Sequence, residues 1–156
     1  MKIKIITVGK IKEKFSKQWI EEFEKRLSPY CSFFVEEIPA EPILDNNSYE
    51  KYKHIEGEKI LSHIKQDSYV FTLEIQGKML SSEGFADKIK EVSSLGVKEL
   101  IFVIGGANGL CQEVSNRADF KLSFSKMTFT HQMIRLILIE QIYRAFKILN
   151  GEKYHR

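Results

Sequence analysis

The spacing of apolar positions along the chain changes period in a regular way. Ile3 to Val8 is a short, β-rich apolar run closed by Gly9, which predicts a strand. From Lys14 to Leu27 the spacing becomes helical, with Phe15, Trp19, Ile20, Phe23 and Leu27 on one face and Pro29 beyond the end. Phe33 to Ile38 reads as a second strand. Pro39 and Pro42 then open a loop that runs through Asn46 and Asn47. Tyr49 to Ile64 reads as a polar helix with Gly57 as its weak point, and Tyr69 to Leu73 as a third strand. Serines suited to capping precede a helix over Ser82 to Val92. Leu100 to Ile104 is the most apolar strand and runs straight into Gly105-Gly106. A short helix (Cys111 to Arg117), a short strand (Phe120 to Phe124) and a long helix (His131 to Leu149) complete the chain, followed by Gly151 and a tail. This alternation predicts an α/β fold, a mainly parallel sheet with helices on both faces, in a single domain over residues 1–156.

Composition narrows the class. The chain has 156 residues, 43% of them apolar and 29% charged, the balance of a globular domain and not of a disordered tail. Its most apolar stretch, Met133 to Leu149, is interrupted by Arg135, Glu140, Gln141, Arg144 and Lys147, so no membrane span is expected. The opening MKIKIITVGK reads as a strand and not as a signal peptide. Cys31 and Cys111 stand far apart without metal-ligand spacing and read as buried free thiols of a cytoplasmic protein. The net charge of +3 is unevenly spread: residues 120–156 hold seven of the 24 basic residues and two of the 21 acidic ones. A basic C-terminal quarter suits a nucleic-acid footprint, and equally a solvated helix face.

Ligands of an open parallel sheet bind beyond the carboxyl ends of its strands. Three segments fall there: Leu73 to Lys78, Gly105 to Gly109, and Ser125 to Thr130. The glycine segment has the spacing G-G-x-x-G, which is neither the dinucleotide fingerprint nor a P-loop. It reads either as a ligand loop or as a plain left-handed turn. On the long final helix, Ile134, Leu138, Ile139, Ile142, Ala145, Phe146 and Leu149 form an apolar stripe. Met133, Leu136, Ile137, Tyr143 and Ile148 lie on the other half. A dimer interface accounts for the second side, and so does a helix wedged between layers of its own domain. Arg135 points into the stripe, as an ion-paired packing residue or a site arginine. His54 and His63 read as surface residues, whereas His131 opens the last helix. The tail Lys153-Tyr154-His155-Arg156 is chemically rich for a terminus that could equally fray. No histidine, cysteine or carboxylate pattern calls for a metal.

The last third resembles a known family. Phe102 to Leu110 (FVIGGANGL), Leu122 to Gln132 (LSFSKMTFTHQ), Ile139 to Lys147 (IEQIYRAFK) and the closing Tyr154-His155-Arg156 are similar to RlmH-type ribosomal RNA methyltransferases. Thr72 to Lys78 (TLEIQGK) and Val8-Gly9-Lys10 fit the same family, collinearly over essentially the whole chain. The resemblance implies the SPOUT class, whose C-terminal part forms a deep trefoil knot. It implies S-adenosylmethionine as methyl donor, leaving S-adenosylhomocysteine. Carried over by position, the cofactor contacts would be Leu73, Gly105 and Phe124, Ser125, Lys126, Met127, Thr128 and Phe129. Leu73 and Phe129 would offer apolar surface to the adenine, and Gly105 would let backbone approach the methionine part. The implied substrate is N3 of a pseudouridine in 23S rRNA of the assembled ribosome. His155 with Tyr154 would position or deprotonate the base, Arg144 would act beside them, and Arg135, Arg144 and Arg156 would meet rRNA. The implied assembly is a homodimer in which one subunit's tail completes the other's site.

One departure stands out. Thr130 occupies a position that is commonly proline in the family. Threonine can cap the following helix in its place, so function is expected to persist. Two competing readings remain. A catalytically silent RNA- or ribosome-binding module differs from the enzyme in not binding S-adenosylmethionine. A flavodoxin-like binder requires a phosphate loop after the first strand, where Gly9-Lys10-Ile11-Lys12 offers little.

Overall fold

A computed structural model describes residues 1–42, 44 and 48–154. Its elements in chain order are β1 (Lys2–Val8), α1 (Lys14–Leu27), β2 (Ser32–Ile38), α2 (Tyr49–Ser62), β3 (Tyr69–Met79), α3 (Ser82–Ser94), β4 (Glu99–Ile104), α4 (Gln112–Arg117), β5 (Phe120–Ser123) and α5 (His131–Leu149). The strands form one sheet in the order β2-β1-β4-β3-β5, and every ladder is parallel. Asn46 and Asn47, expected in the loop after β2, lie outside the described residues.

Both faces of the sheet are covered, so the central strands carry continuous apolar runs. All six residues of β4 are buried. Strand alternation divides them: Leu100, Phe102 and Ile104 join Ile3 and Ile5 in the core beneath α1, α3 and α5. Ile101 and Val103 join Ile6 and Val8 in a smaller core with Ile60 of α2 and Val114 of α4. Each fully buried side chain of this size stabilises the fold by roughly 1.5–3 kcal/mol.

Two details depart from the sequence pattern. Phe15 and Trp19 do not belong to the core face of α1; they are 64% and 44% exposed, while Ser16, Phe23 and Leu27 turn inward. The helix is rotated so that Phe15 and Trp19 form its outer edge. Strand β3 also outruns its apolar segment. Leu73 and Lys78 both register with Leu122 of β5, and the chain between them bulges out of the ladder. Gly77 is required there, because a Cβ would sit 2.7 Å from the Leu122 carbonyl carbon.

Helix α5 lies between α1 and α3 on one face of the sheet. Much of its second apolar side is therefore covered within the chain. Leu136 and Tyr143 are buried, and Tyr143 meets Phe23 edge-on with ring centroids 5.6 Å apart. Met133 is the exception on that side, 49% exposed near the start of the helix.

Candidate active site

Because β4, β3 and β5 are adjacent and parallel, their carboxyl ends open on the same edge of the sheet. The segments beyond them enclose a cavity of about 800 Å³. This size lies in the range that holds a drug-sized ligand, about 300–1,000 Å³. Of the residues expected to contact a cofactor, Leu73, Gly105, Phe124, Ser125, Met127, Thr128 and Phe129 line the cavity, whereas Lys126 is exposed outside it.

The wall is shaped locally. After β4 the chain turns back on itself: Gly106 and Gly109 form a bridge, Gly109 N–H donates to the Gly106 carbonyl at 3.0 Å, and Gly109 has φ +76°. A Cβ on Gly105 would lie 2.8 Å from the Gly109 carbonyl carbon and oxygen. Glycine at 105 is thus needed for the loop to close against its own backbone. This local requirement stands beside the expected approach of its backbone to a ligand, since Gly105 also lines the cavity. After β5, Ser125 Oγ accepts from the Met127 amide at 2.9 Å, and Ser123 Oγ donates to the Ser125 carbonyl at 3.0 Å. Thr130 then caps α5, its Oγ1 accepting from the Met133 amide at 3.2 Å. Threonine thus serves as the N-cap, as expected where the resemblance implies proline.

Three parts of the wall carry side chains to which no role was assigned from the sequence, although Glu74 lies in the strand-end segment Leu73 to Lys78 and His131 was placed at the start of the last helix. Glu13 and Phe15, at the start of α1, form one side. Glu74 forms another: it sits in the bulge of β3, where Oε1 accepts from Thr72 Oγ1 at 2.6 Å and Oε2 from Ser115 Oγ at 3.0 Å. His131 lines the cavity at the N-terminus of α5, its Nε2 3.2 Å from where a Cβ on Gly9 would stand. Burial, helped by the charge of Arg135, pushes the His131 imidazole below its ordinary pKa, so it is held neutral near pH 7.

The arginines separate. Arg135 is fully buried and cannot meet RNA, which corrects that expectation. Its Nη1 donates to Glu37 Oε1 at 2.5 Å, and its Nη2 to Thr7 Oγ1 at 3.0 Å and to the Gly9 carbonyl at 2.9 Å. It is the ion-paired packing residue, tying α5 to the ends of β1 and β2. Arg144 is half-buried, pairs with Glu140 at 2.5 Å and stacks on the Tyr154 ring at 4.7 Å. Tyr154 packs edge-on against Tyr143 at 4.9 Å and donates to Glu140 Oε1 at 3.1 Å. Neither Arg144 nor Tyr154 lines the cavity. His155 and Arg156 lie outside the described residues.

Cys31 and Cys111 are free and buried; burial pushes the Cys31 thiol up to about 11 and raises Cys111 as well. Among the described residues no helix is long and apolar enough to cross a membrane, and no cluster of His, Cys, Asp or Glu could hold a metal ion.

The cavity suits an adenosyl ligand in size and in kind. Leu73, Leu110 and Phe129 supply apolar surface, and the glycine loop supplies backbone polar groups without side chains in the way. A family model described as "Predicted SPOUT methyltransferase" matches residues 1–155. The chain therefore belongs to the SPOUT methyltransferase family, whose members take their methyl group from S-adenosylmethionine.

Proposed function

We propose that the protein methylates N3 of a pseudouridine in 23S rRNA of the assembled ribosome, working as a cytoplasmic homodimer with a knotted C-terminal half. The observation that carries this reading is the coincidence of two independent placements. The cavity lies on the three strand-end segments that the resemblance assigns to the cofactor.

When bound, S-adenosylmethionine supplies an activated methyl group: its methyl–sulfur bond breaks with the electron pair going to sulfur, while N3 bonds the methyl and gives up its proton. The work left to the chain is alignment, water exclusion and removal of that proton. Leu73 and Phe129 offer apolar surface for the adenine, and the backbone of the loops at Gly105–Gly109 and Phe124–Phe129 fixes the remainder. His155 and Tyr154 take the role of positioning the base or accepting its proton, and Arg144 and Arg156 that of holding rRNA phosphates.

A second copy is part of this reading because Tyr154 stays out of its own chain's cavity. Tyr154 packs back on Glu140, Tyr143 and Arg144, whereas the cavity takes the α5 residues His131 to Leu136. An apolar rim surrounds the mouth: Phe15, Met127, Phe129 and Met133 are all exposed, with Trp19 one turn along α1. A patch of that kind marks an interaction surface, and it is the surface this reading gives to the second copy.

The test is transfer of tritiated methyl to ribosomes from a strain lacking the enzyme, with separated subunits as the comparison and the chain truncated after Lys153 as the control. Label is expected in 23S rRNA of assembled ribosomes with the full chain alone. Label on separated subunits to the same extent, or full activity of the truncated chain, contradicts the proposal.

A further inference from the structure

The charge of the cavity wall carries one more step, which rests on the reading of this cavity as the cofactor site. Among the described residues that line it, the ionisable side chains are Glu13, Glu74 and His131; no lysine or arginine is among them. Glu13 is exposed at the start of α1, where solvent screens it. Glu74 is half-buried, and its carboxylate is fixed from both sides, by the hydroxyl of buried Thr72 at 2.6 Å and that of buried Ser115 at 3.0 Å. Hydrogen bonds donated to both oxygens hold the carboxylate in place and prevent it from turning away. The N-terminus of α5 opposes it with about half a positive charge, already partly met by the Thr130 cap.

We propose that Glu74 is a specificity-determining residue that selects the cationic methyl donor over its neutral product. The donor carries a sulfonium, an ammonium and a carboxylate, for a net charge of +1 by ordinary valence. Methyl transfer turns the sulfonium into a neutral thioether and leaves the other two groups unchanged. A fixed carboxylate in the wall therefore attracts the ligand more strongly before the reaction than after it. The product is released with less hindrance, and the resting enzyme is kept available to the donor. The bulge in β3 has a purpose on this view: it lifts Glu74 out of the ladder and into the cavity wall, with Gly77 bringing the strand back onto β5.

The experiment is calorimetric titration of the wild type and Glu74→Gln with S-adenosylmethionine and with S-adenosylhomocysteine, separately. Glu74→Gln is expected to lose on the order of tenfold in affinity for the methionine compound and no more than about twofold for the homocysteine compound. Equal losses for both ligands, or none for either, overturn the proposal, because a carboxylate that merely ties β3 to α4 has no reason to distinguish them. Should neither ligand bind the wild type, the cofactor reading of the cavity fails and Glu74's role falls with it. Retained homocysteine binding shows that the variant is folded. If it does not fold, the wild type is titrated with sinefungin, which bears an ammonium where the donor bears its sulfonium. Sinefungin is then expected to bind on the order of tenfold more tightly than S-adenosylhomocysteine, and equal affinities overturn the proposal.

Discussion

Arg135 and Arg144 stand on the same helix and have the same chemistry, yet they lie in unlike surroundings. Arg135 is enclosed by Glu37, Thr7 and the Gly9 carbonyl, with no surface left to a partner. Arg144 is only half-buried, between Glu140 and the Tyr154 ring. The first joins α5 to the ends of β1 and β2 and so sets where the cavity-lining start of the helix sits. The second sits beside the tail. A basic residue near a binding site can thus serve the site by position alone, and net charge along the sequence does not separate the two cases. Burial does.

The comparison breaks most visibly in stability. Arg135→Ala removes a fully buried side chain with its bonds to Glu37, Thr7 and the Gly9 carbonyl and is expected to cost about 3–5 kcal/mol in urea unfolding. Arg144→Ala, which breaks a half-buried pair with Glu140, is expected to cost less there, about 1–2 kcal/mol. In methylation of ribosomes Arg144→Ala should lower the rate by about tenfold, the scale of one lost charged hydrogen bond. Similar unfolding costs for the two variants would erase the distinction. A smaller effect concerns the joint between cavity and helix. Thr130→Ala removes the acceptor for the Met133 amide and is expected to lower stability by about 1 kcal/mol, whereas Thr130→Pro should recover part of that loss by presetting the backbone where α5 begins.

The smallest effect is in pH. Burial and Arg135 hold His131 below its ordinary 6.5, so the unfolded chain takes up that proton more readily than the folded one. Its contribution to stability is intact above pH 6.5 and declines as pH falls through 6.5 toward the lower folded value. Denaturation midpoints at about pH 7.5 and about pH 5.5 should therefore differ more for the wild type than for His131→Asn. An identical pH response of the two would show that the imidazole is not held neutral by the fold.

The order of strands and helices was legible because the periods switch cleanly, and α5 begins and ends where its pattern does. The expected convergence of three strand ends was legible too, since a parallel sheet puts those ends on one edge. Other features were hidden for physical reasons. The run after Leu73 bulges out of the ladder before Lys78 and Met79 pair again with β5, so its pattern did not read as strand. Glu74 gained meaning only from Thr72 and from Ser115, distant in sequence. Phe15 and Trp19 matched a helical stripe, but the wheel does not say which edge of a stripe the core takes up. Gly105 was marked as a close approach, yet not that the approaching group is Gly109 of its own loop.

On the function proposed above, the ends of β3, β4 and β5 close around one adenosyl ligand. A crystal structure of the protein grown with saturating S-adenosylmethionine tests it directly. The account predicts ligand density in the cavity, with the adenine between Leu73 and Phe129 and the remainder against the loops at Gly105–Gly109 and Phe124–Phe129. Density for the ligand elsewhere on the chain, or a cavity that stays empty at saturation, would contradict it.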